Sequence, residues 1–187
     1  MYAKPRHLRV LLLSLTLILT TAICSAVQTQ TEHSERDRMI AGARELMTTV
    51  RYCALITVDA NGRAQARAMD PFPPDENLVV WLATNPTSRK VREIRRNPHV
   101  ILYYFDSVSQ GYVSLSGSAR IVNDPKEKSR HWKQEWKAFY PNRPKDYLLI
   151  AVAPEKFEVV IEQKGIVGKS RTWKAPTVRF GRTRTND

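Results

Sequence analysis

The side chains best able to do chemistry together lie in one short run, Thr84-Asn85-Pro86-Thr87-Ser88-Arg89-Lys90. Hydroxyls from Thr84 and Ser88 share this turn with the Arg89 guanidinium and the Lys90 ammonium, and both cations can neutralise a phosphate dianion. The run follows apolar residues, Leu78 to Ala83, and leads into Val91 to Arg96 at helical spacing, so a strand ends where a helix begins. Such a junction offers free backbone N–H groups and the positive end of a helix dipole, a natural seat for phosphate. The same residues also read as a capped surface helix with solvated charges, because helix starts are commonly rich in Ser and Thr. Local physics leaves both readings open.

Other candidates for chemistry are scattered. His33, His99 and His131 are separately placed, and no Cys pair or His cluster has metal-ligand spacing. A lone histidine could ligate haem iron, but isolated histidines are more often structural. Asp70, Asp75 and Glu76 share one loop and read as solvated carboxylates. Cys53 lies in a predicted strand, where a buried inert thiol is the simplest reading. No nucleophile elbow, Walker loop or dinucleotide fingerprint is present.

The elements that must position the basic turn follow from periodicity. Ser34, with Asp37 three residues on, reads as the cap of a helix carrying Met39, Ile40, Ala43, Leu46, Met47 and Val50 on its apolar stripe. Tyr52 to Val58 is an apolar strand, and Asp59-Ala60-Asn61-Gly62 is a hairpin turn with Asn-Gly supplying positive φ. The return strand, Arg63 to Met69, alternates strictly. Ala64, Ala66 and Ala68 share one face, which such small residues would pack against another layer. Strands are also predicted at Leu78–Ala83, His99–Phe105, Tyr112–Val122, Tyr147–Ala153 and Lys156–Ile161. In the fifth strand the alternation points Val113, Leu115, Ala119 and Ile121 inward. Asp124-Pro125-Lys126-Glu127 starts a helix carrying Trp132, Trp136, Phe139 and Tyr140 on one stripe, which Pro141 and Pro144 end. Seven strands with hairpin-like links imply a mainly β fold, a mostly antiparallel barrel with flanking helices.

The chain ends read differently from its body. Lys4, Arg6 and Arg9 precede the apolar run Val10–Ile23, and Cys24-Ser25-Ala26 offers a small-residue cleavage site. Residues 1–26 therefore read as a signal peptide for export to the periplasm or outside the cell, or as a membrane anchor if uncleaved. Its removal leaves Cys53 as the one thiol, so no internal disulfide is expected. Residues 27–34 read as a linker, 35–162 as the folded domain, and 163–187 as a basic, flexible tail to which Trp173 could add a contact. Of the +12 net charge, three positive charges fall in residues 1–26 and a net six in 163–187, leaving +3 for residues 27–162. The body is thus only mildly cationic. No specific nucleic-acid partner is expected, and the tail could make weak contacts with anionic surfaces.

Arg67-Ala68-Met69 after a hairpin, Ala83-Thr84-Asn85-x-x-Ser88-Arg89-Lys90 opening a helix, and Asn97-Pro98 before the next strand together resemble the pyridoxamine 5′-phosphate oxidase superfamily of FMN-binding split β-barrels. The segment Tyr112–Ile121 and the Trp-Lys-x-Phe-Tyr-Pro string are closer to its general-stress-protein branch. The resemblance covers about residues 35 to 162. It implies that Arg67 reaches the FMN phosphate, with Ala68 and Met69 supplying backbone near the flavin ring. It places Ala83 and Thr84 beside the isoalloxazine, and Ser88, Arg89 and Lys90 in the phosphate-binding turn. It also implies a homodimer, because flavin in this family lies between two subunits.

Two departures bear on the reaction. Tyr112 stands where the oxidase proper has a glutamine near the flavin, and the Trp and Arg motif that holds pyridoxal is not recognisable in Ser170–Asp187. Both argue against vitamin B6 oxidation. The expectation is an exported FMN-dependent oxidoreductase acting on an unidentified small molecule. Deazaflavin use, a non-catalytic flavin- or haem-binding stress protein, and a basic surface-binding module without cofactor are the alternatives.

Overall fold

The computed structural model describes residues 30–181. The expected signal segment, residues 27–29 of the linker and residues 182–187 lie outside the described residues. Residues 30–49 form helix α1. Ser34 lies within this helix instead of capping it, and residues 30–34 are helical where a linker was expected. Asp37 faces His33 one turn back, at 3.3 Å. From Met39 onward the stripe packs as its spacing predicts: Ala43, Leu46 and Met47 are buried, with Met39, Ile40 and Val50 partly so.

β1 (Cys53–Val58) and β2 (Ala64–Met69) form the hairpin. Its turn differs in detail from the Asn-Gly expectation, because Gly62 alone takes positive φ, 77°. The Asp59 N–H bonds the Arg63 carbonyl, which leaves a three-residue loop with glycine in the left-handed position. The Asp59 carboxylate accepts from the N–H groups of Asn61 and Arg63 and locks the turn. The alanine face of β2 is also not where the alternation was read to place it. Ala64, Ala66 and Ala68 are exposed, while Gln65, Arg67 and Met69 are half-buried. Register explains this: Met69 lies opposite buried Cys53, and Arg67 opposite buried Leu55. An arginine can lie along an inner face if its stem packs and its head finds a carboxylate.

The chain continues through β3 (Val80–Thr84), α2 (Arg89–Arg96), β4 (His99–Asp106), β5 (Gly111–Val122), α3 (Pro125–Arg130), α4 (Arg143–Asp146), β6 (Leu148–Val160) and β7 (Thr177–Arg179). Every strand pairing is antiparallel, in the order β2-β1-β4-β5-β6-β3, with β7 also on β6. A bridge between Pro71 and Leu82, with the Phe72 N–H donating to the Trp81 carbonyl at 2.9 Å, joins the two ends of this order. The fold is a mainly β split barrel with flanking helices.

The seventh strand comes from an unexpected place. The two final predicted strands are one, β6, which runs through Pro154. β6 pairs with β5 along one edge, while β3 and β7 share the other. Pro154 falls between those two partners, where no ladder bond needs its missing N–H. Opposite it, the register shifts between Ser116 and Gly117. A Cβ on Gly117 would lie 2.3 Å from the Ala153 carbonyl oxygen, so the close approach requires glycine there. Beyond Ala119 the β5 alternation slips, burying Val122 while Ile121 is only half-buried.

β7 lies in the segment read as a flexible tail. Ile166 and Val178 are buried and Ile161 bridges Ile166, so the described part of that segment is laid against the sheet. Trp173, at 88 % exposed, makes no docking contact. Contacts of one to three residues carry no period, which hid them in the sequence.

The Asp124 cap forms as predicted, its carboxylate accepting from the Glu127 N–H at 2.9 Å. The helix it starts is short, however. α3 stops at Arg130, Gln134–Ala138 is a 3₁₀ turn, and Pro144 opens α4 where it was expected to end a helix. Trp136 is buried but Phe139 is 74 % exposed, so the four aromatics do not form one stripe. Asp70 supplies the reason. Its carboxylate accepts from Lys133 Nζ at 2.7 Å and Trp136 Nε1 at 3.1 Å, drawing this segment onto the loop after β2.

Two apolar clusters result. The larger fills the barrel from α1, β1, β4, β5 and β6; the smaller gathers Trp136, Tyr147 and Leu149 on the other face of β6. β6 is therefore buried on both faces along its first half.

Candidate functional site

α2 lies against β1 and β5 and buries Val91, Glu93 and Ile94. Its first two residues, Arg89 and Lys90, are the last of the basic turn. Ser88 occupies the cap position, yet its hydroxyl makes no capping bond and instead lies 2.9 Å from Thr84 Oγ1. The first-turn N–H groups thus have no side-chain cap, although that of Val91 donates to the Ser88 carbonyl at 3.1 Å. Lys90 Nζ donates to Thr84 Oγ1 at 3.2 Å. Thr87 is held apart from these groups, its N–H and hydroxyl both donating to Asn85 Oδ1.

Beneath this turn lies a buried carboxylate. Glu93 is 3 % exposed. Its Oε2 accepts from Thr57 Oγ1 at 2.5 Å and from Arg67 Nη2 at 2.9 Å. Arg67 Nη1 also donates to Thr57 Oγ1 at 2.6 Å, closing a triangle of three side chains from β1, β2 and α2. Glu93 Oε1 accepts no hydrogen bond, although Arg89 Nε lies 3.0 Å away in an ion pair. Arg89 itself is largely exposed.

The electrostatics follow from this arrangement. Burial opposes ionisation of Glu93, but bonds from Thr57 and Arg67 and the charges of Arg67 and Arg89 outweigh it and hold the carboxyl below its ordinary value. Lys90 is pushed below the ordinary lysine value by burial first, then by the charge of Arg67; Glu93 acts in the opposite direction, and Arg89 adds to the depression. Three cations thus surround one carboxylate, leaving a net excess of two positive charges beside an uncapped helix start. A phosphate dianion matches that excess and the donor set of Ser88 Oγ, Lys90 Nζ, Arg89 and first-turn N–H groups. The residues present fit a phosphate-bearing group.

The remaining residues expected at the site are placed as follows. Met69 shares the inner side of β2 with Arg67 and packs against the larger core, whereas the Ala68 side chain points outward and is exposed. Ala83 is buried in the smaller cluster, and Thr84 ends β3 opposite Leu148. Tyr112 stacks on Tyr103 on the outer face of the sheet, ring centres 5.8 Å apart. Thr57 and Glu93 were not singled out from sequence. Glu93 had a signal, four residues after Arg89 on one helix face; Thr57 had none, being one polar residue in an apolar strand.

The other candidates are accounted for locally. Burial pushes the Cys53 thiol up to about 12, so it is an inert core residue. Asp75 accepts from the N–H groups of Asn77 and Val79 and shapes its own loop. His131 stacks on Trp81, centres 4.3 Å apart, and its Nδ1 lies 3.0 Å from the Glu127 carbonyl oxygen. Among the described residues no group of three His, Cys, Asp or Glu side chains could hold a metal, and no helix is long and apolar enough to cross a membrane.

Comparison with known proteins supports the fold and gives the family. The sequence model described as "Pyridoxamine 5′-phosphate oxidase like" matches residues 39–169. A pyridoxine/pyridoxamine 5′-phosphate oxidase from Paraburkholderia phymatum is 28 % identical over 121 residues, 65 % of this chain and 52 % of that one. This chain thus spans about half the length of that relative. A protein related to general stress protein 26 from Clostridium acetobutylicum superposes with a TM-score of 0.63 at 22 % identity, covering 78 % of this chain and 96 % of the other. An F420 reductase superposes with a TM-score of 0.51 at 26 % identity, covering 62 % and 95 %. With the barrel, the basic helix start and the family match in agreement, the chain belongs to the pyridoxamine 5′-phosphate oxidase-like family, within a flavin-binding, oxidoreductase-type superfamily.

Proposed function

We propose that this protein is an exported, homodimeric FMN-binding oxidoreductase acting on a small molecule. The observation that carries the reading is the cation cluster at the start of α2, where Arg67, Arg89 and Lys90 outnumber Glu93. Arg89 and Lys90 would hold the phosphate by charge, Ser88 and Thr84 by their hydroxyls, and Glu93 would keep Arg67 aimed from below. Ala68, Met69 and Ala83 lie on the strands flanking that seat, where the family resemblance puts the ring. When bound, the flavin supplies the hydride chemistry, and the protein supplies position and electrostatics. No side chain is assigned as catalytic acid or base.

The outer face of β2, β1, β4 and β5 supports the dimer. It presents Ala66, Ala68 and Ile56 together with Tyr103 and Phe105, which are 38 % and 46 % exposed. A contiguous apolar sheet face of this kind marks an association surface. Export rests on residues 1–26 and predicts a mature protein that begins at Val27, readable by N-terminal sequencing. The likeness to an F420 reductase favours one second reading, a deazaflavin cofactor seated by its phosphate in the same cradle. A non-catalytic flavin or haem carrier, and a surface-binding module without cofactor, remain as outcomes of the test.

The test is the visible spectrum of the purified protein, before and after reconstitution. Flavin bands with turnover of NAD(P)H and an acceptor support the reading, and flavin without turnover makes the protein a carrier. F420 binding in preference to FMN selects the second reading, a Soret band selects haem, and a protein that binds none of them overturns the flavin assignment.

A further inference from the structure

Beside α2, on the side of Ile94 and Arg95, the barrel carries a cavity of about 550 Å³. Its apolar walls include Ile94, Ala119, Ile121 and Leu148, contributed by α2, β5 and β6. Its charged wall is Arg95, Arg120 and Lys145, from α2, β5 and α4. No acidic side chain among the described residues lines it. None of the three cations forms an ion pair among the described residues, in contrast to Arg67 and Arg89, which both face Glu93. Asp146, beside Lys145, is already engaged, its Oδ2 accepting from the Asn142 N–H at 3.0 Å.

Arg120 is held in place without an anion. Arg120 and Trp81 both lie across from Ala151, on either side of β6, and the small alanine lets them meet. The guanidinium sits 5.5 Å from the centre of the Trp81 ring, which is itself stacked on His131. A cation–π contact of this kind orients the guanidinium while leaving its N–H donors available. The cavity therefore combines apolar walls with the exposed cations Arg95 and Lys145, with Arg120 at its rim turned towards Trp81, and no carboxylate among the described residues pairs with them. That is the chemistry of a site for an anion with an apolar body.

We propose that this groove binds a small organic anion, a carboxylate or phosphate ester carrying an alkyl or aryl group, at a site separate from the flavin phosphate cradle. The two sites sit on different faces of α2. Arg89, Lys90 and Glu93 face the cradle; Ile94 and Arg95 line the groove; Pro86 of the basic turn reaches its edge. The proposal does not depend on which flavin the cradle holds.

The test titrates the ¹⁵N-labelled full chain with benzoate and, separately, with benzamide, its neutral counterpart of the same shape. Benzoate is expected to give saturable amide shifts at Arg95, Arg120, Ile121 and Leu148, with benzamide about tenfold weaker. Arg95→Gln combined with Lys145→Gln lowers benzoate affinity about tenfold and leaves benzamide unchanged. This pair spares the Trp81 contact, and both side chains are exposed, so folding is preserved. Arg89→Ala with Lys90→Ala leaves benzoate binding intact. Equal binding of benzamide, shifts confined to other surfaces, or loss of benzoate binding in the cradle variant would each overturn the proposal.

Discussion

The two faces of α2 handle positive charge in opposite ways. On the cradle side, Arg67 and Arg89 converge on one buried carboxylate, and Lys90 is packed in beside them at a cost to its own ionisation. On the groove side, Arg95, Arg120 and Lys145 line a cavity to which no described residue adds a carboxylate. The difference is one of burial. A guanidinium on an inner face needs a counter-charge to fold, whereas one at a cavity rim stays hydrated until a ligand arrives. The cradle is thus part of the fold as well as the proposed phosphate seat, while the exposed cations of the groove are expected to matter little for folding.

Removing Glu93 tests that contrast most severely. Glu93→Ala strips the counter-charge from Arg67 and the partner from Thr57, and is expected to cost about 3–5 kcal/mol in denaturant unfolding. A loss below about 1 kcal/mol would show that the cradle is not needed for the fold. The effect has a pH signature. Because the folded carboxyl titrates below its ordinary value of 4.5, its stabilisation is complete above that value and is lost as pH falls towards the lower folded one. Wild-type and Glu93→Ala stabilities should therefore converge in acid.

Next in size is the binding effect of the cradle cations. Arg89→Ala with Lys90→Ala is expected to weaken FMN binding about 100-fold or more, near 3 kcal/mol, followed by flavin fluorescence. Unchanged affinity would place the phosphate elsewhere. A finer test uses the depressed ionisation of Lys90. A bound phosphate restores its charge, so affinity should hold at neutral pH and decline as pH rises through the free-protein value, below the ordinary 10.5. Lys90→Arg, which does not titrate there, should flatten that decline. The smallest effect belongs to the other face. Arg95→Gln with Lys145→Gln should change unfolding stability by less than about 0.5 kcal/mol. A larger loss would erase the distinction between the two faces.

Much of the cradle was legible in advance because its signals are local. Thr84, Ser88, Arg89 and Lys90 lie within one turn, and a strand-to-helix junction is readable from a change of period. Glu93 and Thr57 were not singled out, since nothing local shows that a glutamate on a basic helix faces inward. The fate of the alanines of β2 was misread for a related reason. Alternation reveals that two faces differ, but which one is inner depends on the partner strand, and pairing with Cys53 and Leu55 turned Arg67 and Met69 inward. The aromatic segment after Asp124 failed as a helix because Asp70, distant in sequence, claims both Lys133 and Trp136.

What the sequence determined by itself was most of the strands, the strand-to-helix junction with its hydroxyls and cations, and the family. These rest on periodicity and on side-chain types that act over a few residues. The tertiary structure alone decided the merging of β6 through Pro154, the docking of β7, the Glu93 network and the groove between α2, β5 and α4. Each of these depends on contacts between segments far apart in the chain. Their energies come from burial and charge pairing, which local composition does not reveal.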